Sequence, residues 1–175
     1  GVCHGLGYGD NFLSVLISSS ASELGKIIYS IDPKQRKISD SAYLGDLLVT
    51  CYSLHSRNRK FGNFIGRGYS VKNTKESMNM VAEGYNATRC IHELLGKEAA
   101  NYPILETAYK ILYKNASPKN QVKNLESLIS WFTGGYKKPH NPRIRQKQEK
   151  SNSWHAFLRK KLLKSFKQLI SLIYI

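Results

Sequence analysis

A short stretch near the middle of the chain, Ser56-Arg57-Asn58, places a helix-capping hydroxyl directly before a guanidinium and an amide. Ser is a favoured N-cap residue, so Arg57 and Asn58 are predicted to lie in the first turn of a helix. Backbone N–H groups without a helical partner and the positive end of the helix dipole gather in such a turn. An Arg fork and an Asn amide added there indicate a phosphate site. The alternative interpretation is an ordinary capped surface helix.

One carboxylate, Asp46, interrupts the apolar run from Leu44 to Val49 that precedes this turn. It would face the same space as Arg57 and Asn58, where a carboxylate can transfer a proton or orient a base. Thr50 follows four residues later, one turn along if the run is helical, and would donate to the same ligand. The alternative for Thr50 is a core hydroxyl bonded back to its own helix.

The elements that must position these residues are predicted to be helices. Apolar residues recur at three- and four-residue steps from Asp10 to Ile31, with Asp10 as the N-cap, and Asp32-Pro33 should end that helix. The helix after Ser56 should stop at Gly66 and Gly68. A short helix is predicted from Asn73 or Thr74 onward. Three longer helices should follow: Glu83 to Leu95 before Gly96, Pro103 to Tyr113, and one that begins at Pro118, with Val122, Leu125, Leu128 and Ile129 inward.

The glycine-rich start of the chain, Gly5-x-Gly7-x-Gly9, does not follow the GxGxxG pattern, and no strand-like run precedes it. It is predicted to be a tight turn between helices. Because no alternating strand pattern occurs up to Phe132, the body of the protein is predicted to be all-α.

Four sequence elements resemble the helical C-terminal substrate domain of NAD(P)-dependent glycerol-3-phosphate dehydrogenases. In chain order they are Gly5-Leu-Gly-Tyr-Gly9-Asp10-Asn11, then Gly45-Asp46-Leu47 and Thr50 with Ser56-Arg57-Asn58-Arg59, then Val81-Ala82-Glu83-Gly84-Tyr85, then Pro103-Ile104 with Tyr109 and Ile111-Leu112-Tyr113. The resemblance runs from Gly1 to about Ile129. It implies a multi-helix domain of the 6-phosphogluconate-dehydrogenase-like C-terminal type over residues 1–133.

The resemblance implies an oxidoreductase that interconverts dihydroxyacetone phosphate and sn-glycerol 3-phosphate, with NAD or NADP as the cofactor. It assigns substrate binding to Asp46, Ser56, Arg57 and Asn58, and cofactor contacts to Arg57, Val81 and Glu83. Asp46 and Thr50 would support catalysis. The alternative for Glu83 is an acid favoured by the dipole of its own helix start.

In the family, the catalytic lysine lies in a Leu-Lys-Asn motif before the glycine turn. That motif aligns upstream of Gly1. No lysine precedes Lys26 in this chain, and no nucleotide-binding domain is present in it. The chain is therefore expected to be a fragment that does not turn over alone. The resemblance also implies a cytoplasmic enzyme that feeds phospholipid synthesis.

The net charge of +15 is concentrated at one end of the 175 residues. Residues 1–133 hold 16 Lys and Arg against 11 acids, whereas residues 134–175 hold 11 against one. Residues 134–153 are expected to form a basic, disordered linker, and 154–175 a basic amphipathic helix. Its apolar face would carry Trp154, Leu158, Leu162, Phe166, Leu169 and Ile173.

 The alternative reading of this tail is a non-native extension.

A second function class follows from the same asymmetry. In that reading the chain is a small basic helical protein that binds nucleic acid or an anionic membrane through residues 134–175. The charge distribution argues against the whole chain being a nucleic-acid binder. Membrane contact by 154–175 and a homodimer are retained as hypotheses.

The three cysteines, Cys3, Cys51 and Cys90, are widely spaced and form no C-x-x-C pair. Neither a disulfide framework nor a metal site is expected, and a reducing compartment is favoured. A secretory signal and a membrane-spanning segment are not expected either, because no uninterrupted apolar run is long enough.

Overall fold

The protein is all-helical wherever the structure, a computed structural model, describes it. The backbone is described for residues 1–31, 41–80 and 82–133, and the side chains of 41–43, Asp46 and 130–133 fall outside the description. The helices are α1 (Val2–Gly5), α2 (Asp10–Ile31), α3 (Ser41–Tyr52), α4 (Arg57–Gly66), α5 (Val71–Ser77), α6 (Glu83–Leu95), a 3-10 helix (Gly96–Asn101), α7 (Pro103–Tyr113) and α8 (Pro118–Thr133). This part of the chain confirms the all-α prediction.

One hydrophobic core lies where α2, α3, α6 and α7 meet. Its aliphatic side chains come from the inward faces of these helices, at the three- and four-residue spacing that the sequence shows. The most deeply buried are Leu24, Ile27, Leu47, Ile91 and Leu105. This core holds the second half of α2 and the α6–α7 pair as one scaffold.

A second core joins α1, α4, α7 and α8, and is centred on Phe61. In this core, α1 and α4 approach so closely that their backbones touch. A Cβ atom on Gly5 would collide with the carbonyl oxygen of Asn63, and one on Gly66 would collide with the carbonyl oxygen of Val2. Glycine at these positions therefore sets how deeply α4 is seated.

Local capping signals account for most helix ends. The side chain of Ser56 accepts a hydrogen bond from the Arg59 N–H, and α6 ends at Gly96, whose φ is +54°. Pro103 is the first residue of α7 and Pro118 the first residue of α8, as predicted. The predicted span of α2, Asp10 to Ile31, is confirmed, although the Asp32-Pro33 stop lies outside the described residues.

Three local predictions are wrong. The helix expected from Asn73 or Thr74 begins at Val71, because the Ser70 hydroxyl caps it by accepting from the Asn73 N–H. Asp10 is the first residue of α2 and not its N-cap, since the Leu13 N–H bonds to the carbonyl of the preceding glycine. Leu128 is 47% exposed, although its spacing suggested an inward position.

The remaining predictions about chain organisation fall outside this region. The basic linker 134–153 and the amphipathic helix 154–175 are not among the described residues. Within the described helices, none combines the length and the apolar content that crossing a membrane requires.

Candidate functional site

The start of α4 has the geometry that its sequence predicts. Ser56 is extended (φ −62°, ψ 117°), and its Oγ accepts from the Arg59 N–H at 3.2 Å. Arg57 occupies the first helical position and is exposed, whereas Asn58 is only 5% exposed. A cation therefore stands at the rim of this helix start, and an amide lies beneath it.

The start of α4 meets the start of α6. The backbone N–H of Gly84, in the first turn of α6, donates to Oδ1 of Asn58 at 3.0 Å in a buried hydrogen bond. Two helix N-termini, each with a positive dipole end, are thereby brought together. Glu83, the first residue of α6, is exposed at this junction. We call residues 56–58 and 83–85 the α4–α6 junction.

The bond to Gly84 fixes the position of the Asn58 side chain. Its Oδ1 accepts from the backbone of α6, and the side chain is buried. This tertiary contact therefore joins the start of α4 to the start of α6.

Thr50 lines a cavity of about 180 Å³. Cys51, Arg59 and apolar residues of α2, α7 and α8 are also part of its lining. Arg59 follows Arg57 by two residues, which on a helix directs the two side chains to roughly opposite faces. The guanidinium of Arg59 belongs to the cavity, and that of Arg57 to the exposed rim of the junction.

Positive charge at the cavity affects a neighbouring histidine. Burial, followed by the nearby Arg59 guanidinium, lowers the pKa of His4. The ring Nδ1 of His4 lies 2.7 Å from Nδ2 of Asn63, which fits a neutral imidazole accepting from the amide. The cavity mouth is thus a cationic region in which His4 itself is held neutral.

The structure brings together four of the residues selected from sequence. Ser56, Arg57, Asn58 and Glu83 share the α4–α6 junction, and Thr50 lines the cavity that Arg59 also lines. Asp46 lies in α3 one turn before Thr50, and its side chain is outside the described residues, as is the whole of Val81. The roles of these residues stay predictions.

Sequence reasoning gave no role to Arg59. Its place at the end of Ser56-Arg57-Asn58-Arg59 marked it as part of the motif. Only the fold shows that Arg59 lines the cavity. Glu23 was also overlooked. This buried carboxylate accepts the backbone N–H groups of Ile104 and Leu105 at 3.0 and 2.8 Å and so caps α7.

The structure describes all three cysteines. Each is a free thiol, and burial raises the pKa of Cys3 to about 11, which disfavours the nucleophilic thiolate. Among the residues whose side chains are described, no three His, Cys, Asp or Glu side chains group to hold a metal.

Comparison with known proteins identifies relatives. A family profile described as NAD-dependent glycerol-3-phosphate dehydrogenase C-terminus matches residues 1–123. The chain is 39% identical over 125 residues to the glycerol-3-phosphate dehydrogenase (NAD(P)+) of Clostridium perfringens, a match that covers 71% of this chain and 38% of that protein. It is 33% identical over 142 residues to the enzyme of the same name from Halalkalibacterium halodurans, covering 74% and 41%. No solved structure matches the chain significantly.

Proposed function

This chain belongs to the family of NAD-dependent glycerol-3-phosphate dehydrogenases, whose C-terminal domain it carries, and we propose that it binds the phosphate of a triose substrate for that reaction. It spans about two fifths of the length of the curated relatives that it matches. The activity proposed for the whole enzyme is the interconversion of dihydroxyacetone phosphate and sn-glycerol 3-phosphate.

The observation that carries this proposal is the α4–α6 junction. Two helix N-termini converge there, the exposed Arg57 stands at the rim, and Asn58 lies beneath it. A phosphate dianion is favoured by positive potential, and Arg offers it a bidentate contact. Gripping the phosphate fixes the distance of the carbonyl carbon from the hydride donor.

The nicotinamide cofactor would supply the hydride when bound. Arg57 and the exposed carboxylate of Glu83, at the two adjoining helix starts, fit the phosphate and hydroxyl groups of a dinucleotide, and we assign these residues and Val81 to its contacts. Asp46 and Thr50 are assigned to the reacting end of the substrate, where Asp46 would orient the proton donor. That donor, a lysine in the family, has no counterpart at a matching position in residues 1–175.

Calorimetric titration of residues 1–175 tests phosphate recognition directly. Glycerol 3-phosphate should bind, and glycerol, which lacks the phosphate, should not. Arg57→Ala should abolish binding, whereas Lys60→Ala, which removes an exposed cation from the same helix, should leave it unchanged. Equal effects of the two variants would mean that binding depends on nonspecific positive charge, and would contradict the proposal.

Turnover is tested by adding the part of a relative that residues 1–175 do not match. The unmatched N-terminal part of the Clostridium perfringens enzyme, joined ahead of Gly1, should give NADH oxidation with dihydroxyacetone phosphate. Residues 1–175 alone should give none. A joined protein that folds and binds NADH but shows no substrate-dependent oxidation would argue against the catalytic assignment.

A further inference from the structure

The cavity that Thr50 and Arg59 line has a largely aliphatic wall. It lies among α1, α2, α4, α7, α8 and the end of α3, and its volume is about 180 Å³. The aliphatic lining includes Leu13, Leu16, Ile111, Val122 and Leu125. Walls of this kind favour apolar groups, which a hydroxylated triose does not carry. The interior of the cavity therefore suits a ligand of a different class.

Arg59 supplies positive charge at this cavity. The residue is half-buried, and its guanidinium acts on two other residues of the lining. Burial and then this guanidinium lower the pKa of His4. Burial raises the pKa of Cys51, and the Gly1 amino group and the Arg59 guanidinium oppose that rise. The charge of Arg59 therefore acts on groups that border the cavity.

The Arg59 guanidinium forms no ion pair with a carboxylate among the residues whose side chains are described. The acid in the described lining is Asp10, an exposed residue at the start of α2. The Gly1 amino group also lines the cavity, but burial lowers its pKa, whereas a guanidinium keeps its charge throughout the neutral range. Because a half-buried charge without a counter-ion is costly, an anion that reaches Arg59 would be stabilised.

We propose that this cavity binds a small aliphatic carboxylate, with its head group paired to Arg59 and its tail against the aliphatic wall. A guanidinium matches a carboxylate in a bidentate contact, and the Thr50 hydroxyl can donate to the same head group. The inference goes beyond the proposed function, because it shares only Thr50 with the residues assigned to the triose substrate and uses none of the α4–α6 junction.

The size of the cavity sets the length of the tail. An apolar cavity of about 150 Å³ holds a six-carbon ring such as benzene. The 180 Å³ found here therefore suits an aliphatic tail of roughly five to seven carbons. Hexanoate is the matching probe, acetate has the head group without the tail, and 1-hexanol has the tail without the charge.

The test titrates the full 175-residue chain with linear carboxylates from acetate to decanoate, followed by calorimetry and by the NMR amide resonances of Thr50 and Ala108. Affinity should rise about fourfold for each added methylene as far as hexanoate, because each one buries apolar surface. It should stop rising at longer chains, since the cavity is then full. 1-Hexanol should bind more weakly than hexanoate.

Two variants locate the site, each with a matched control. Arg59→Gln should weaken hexanoate binding by at least about tenfold and leave 1-hexanol unaffected, because a hydrogen bond to a charged group is lost. Lys60→Gln, which removes an exposed cation from the next position of α4, should bind hexanoate as the wild type does. Ala108→Leu fills part of the cavity and should block hexanoate without lowering the melting temperature, whereas Ala100→Leu, at an exposed position outside the lining, should not block it.

An affinity that keeps rising with chain length to decanoate would indicate adsorption to exposed apolar surface and would overturn the inference. So would wild-type hexanoate affinity in Ala108→Leu, or equal losses in Arg59→Gln and Lys60→Gln. The joined protein that carries the N-terminal part of the Clostridium perfringens enzyme should also bind hexanoate. Loss of binding there would show that the added part fills the cavity, which would overturn the inference for the whole enzyme. Each of these results leaves glycerol 3-phosphate binding at the α4–α6 junction to its own test.

Discussion

At the scale of single residues, Asn58 has a structural role, and phosphate binding is the second role that we propose for it. Its oxygen satisfies the buried N–H of Gly84. A buried backbone donor left without its acceptor is costly, so the structural role of Asn58 is independent of any ligand. Substitutions can separate the two roles.

Asn58→Asp should retain the fold and lose the ligand. Its carboxylate still accepts from Gly84 and is favoured by two helix dipoles, but it would repel a phosphate. Asn58→Ala should instead lower the free energy of unfolding by about 1–3 kcal/mol, because the Gly84 N–H loses its acceptor. Urea unfolding and titration with glycerol 3-phosphate measure the two effects. Tight binding by Asn58→Asp would show that the amide does not face the ligand.

Glu23 provides a pH-dependent contribution to stability. Burial raises the pKa of this carboxyl, although its bonds to Ile104 and Leu105 and the nearby Lys26 act in the opposite direction. The folded protein therefore binds this proton more tightly than the unfolded chain, whose Glu titrates near about 4.3. The resulting stabilisation is complete below that pH and is lost as pH rises through the raised folded pKa.

Glu23→Gln removes this titration. The free energy of unfolding of the variant, minus that of the wild type, should therefore increase as pH rises from about 4 to 7, because only the wild type loses stability over this range. Urea unfolding at several pH values measures the difference. A difference that moves in the opposite direction would mean that the hydrogen bonds at α7 outweigh burial and lower the pKa.

At the scale of elements, the position of α4 depends on glycine. Since α1 and α4 touch through their backbones at Gly5 and Gly66, no side chain can be added there without moving one helix. The N-terminus of α4 carries Arg57 and Asn58, so a shift of the helix would also shift the proposed phosphate site. Gly45, in α3, differs because a Cβ there would meet no atom within 4 Å.

Gly66→Ala should therefore destabilise the protein by about 1–3 kcal/mol, the usual cost of overpacking, and weaken glycerol 3-phosphate binding. Gly45→Ala is the matched control, and it should stabilise α3 by up to about 1 kcal/mol through helix propensity. Chemical unfolding of both variants provides the comparison. Equal stabilities would show that the α1–α4 contact can relax without cost.

At the scale of the whole molecule, apolar surface is exposed along α3 and the turn after it. Val49 is 67% exposed, Tyr52 51% and Leu54 70%. Leu48 and Tyr52 also line a groove of about 510 Å³ between α2 and α3. Contiguous apolar surface of this kind favours association with another surface.

We expect the isolated chain to self-associate as its concentration rises, despite a net charge of +15. Val49→Lys should reduce this association, because it places a charge in the middle of the exposed apolar surface. Met80→Lys, at an exposed position in another part of the chain, is the control. Sedimentation velocity measures the effect, and a monomeric wild type at high concentration would contradict the expectation.

The residues of the candidate site were predictable to different degrees. Ser56 as the cap, Arg57 in the first turn and the start of α6 at Glu83 follow from signals that act within three or four residues. The burial of Asn58 and the cavity position of Arg59 depend on which helices lie against α4, and the sequence pattern alone contains no such information. Leu128 illustrates the same limit, since its spacing suggested burial and the described fold leaves it exposed.

The sequence by itself therefore determined most of the helices, most of their ends, and the residue types able to bind a phosphate, because capping and periodicity are local interactions. Tertiary structure alone decided that the start of α4 meets the start of α6, that Asn58 accepts from Gly84, and that the Tyr113 hydroxyl donates to the Tyr85 carbonyl. These contacts join residues 26 and 28 positions apart, and only the packing of α4, α6 and α7 around shared cores brings such residues together.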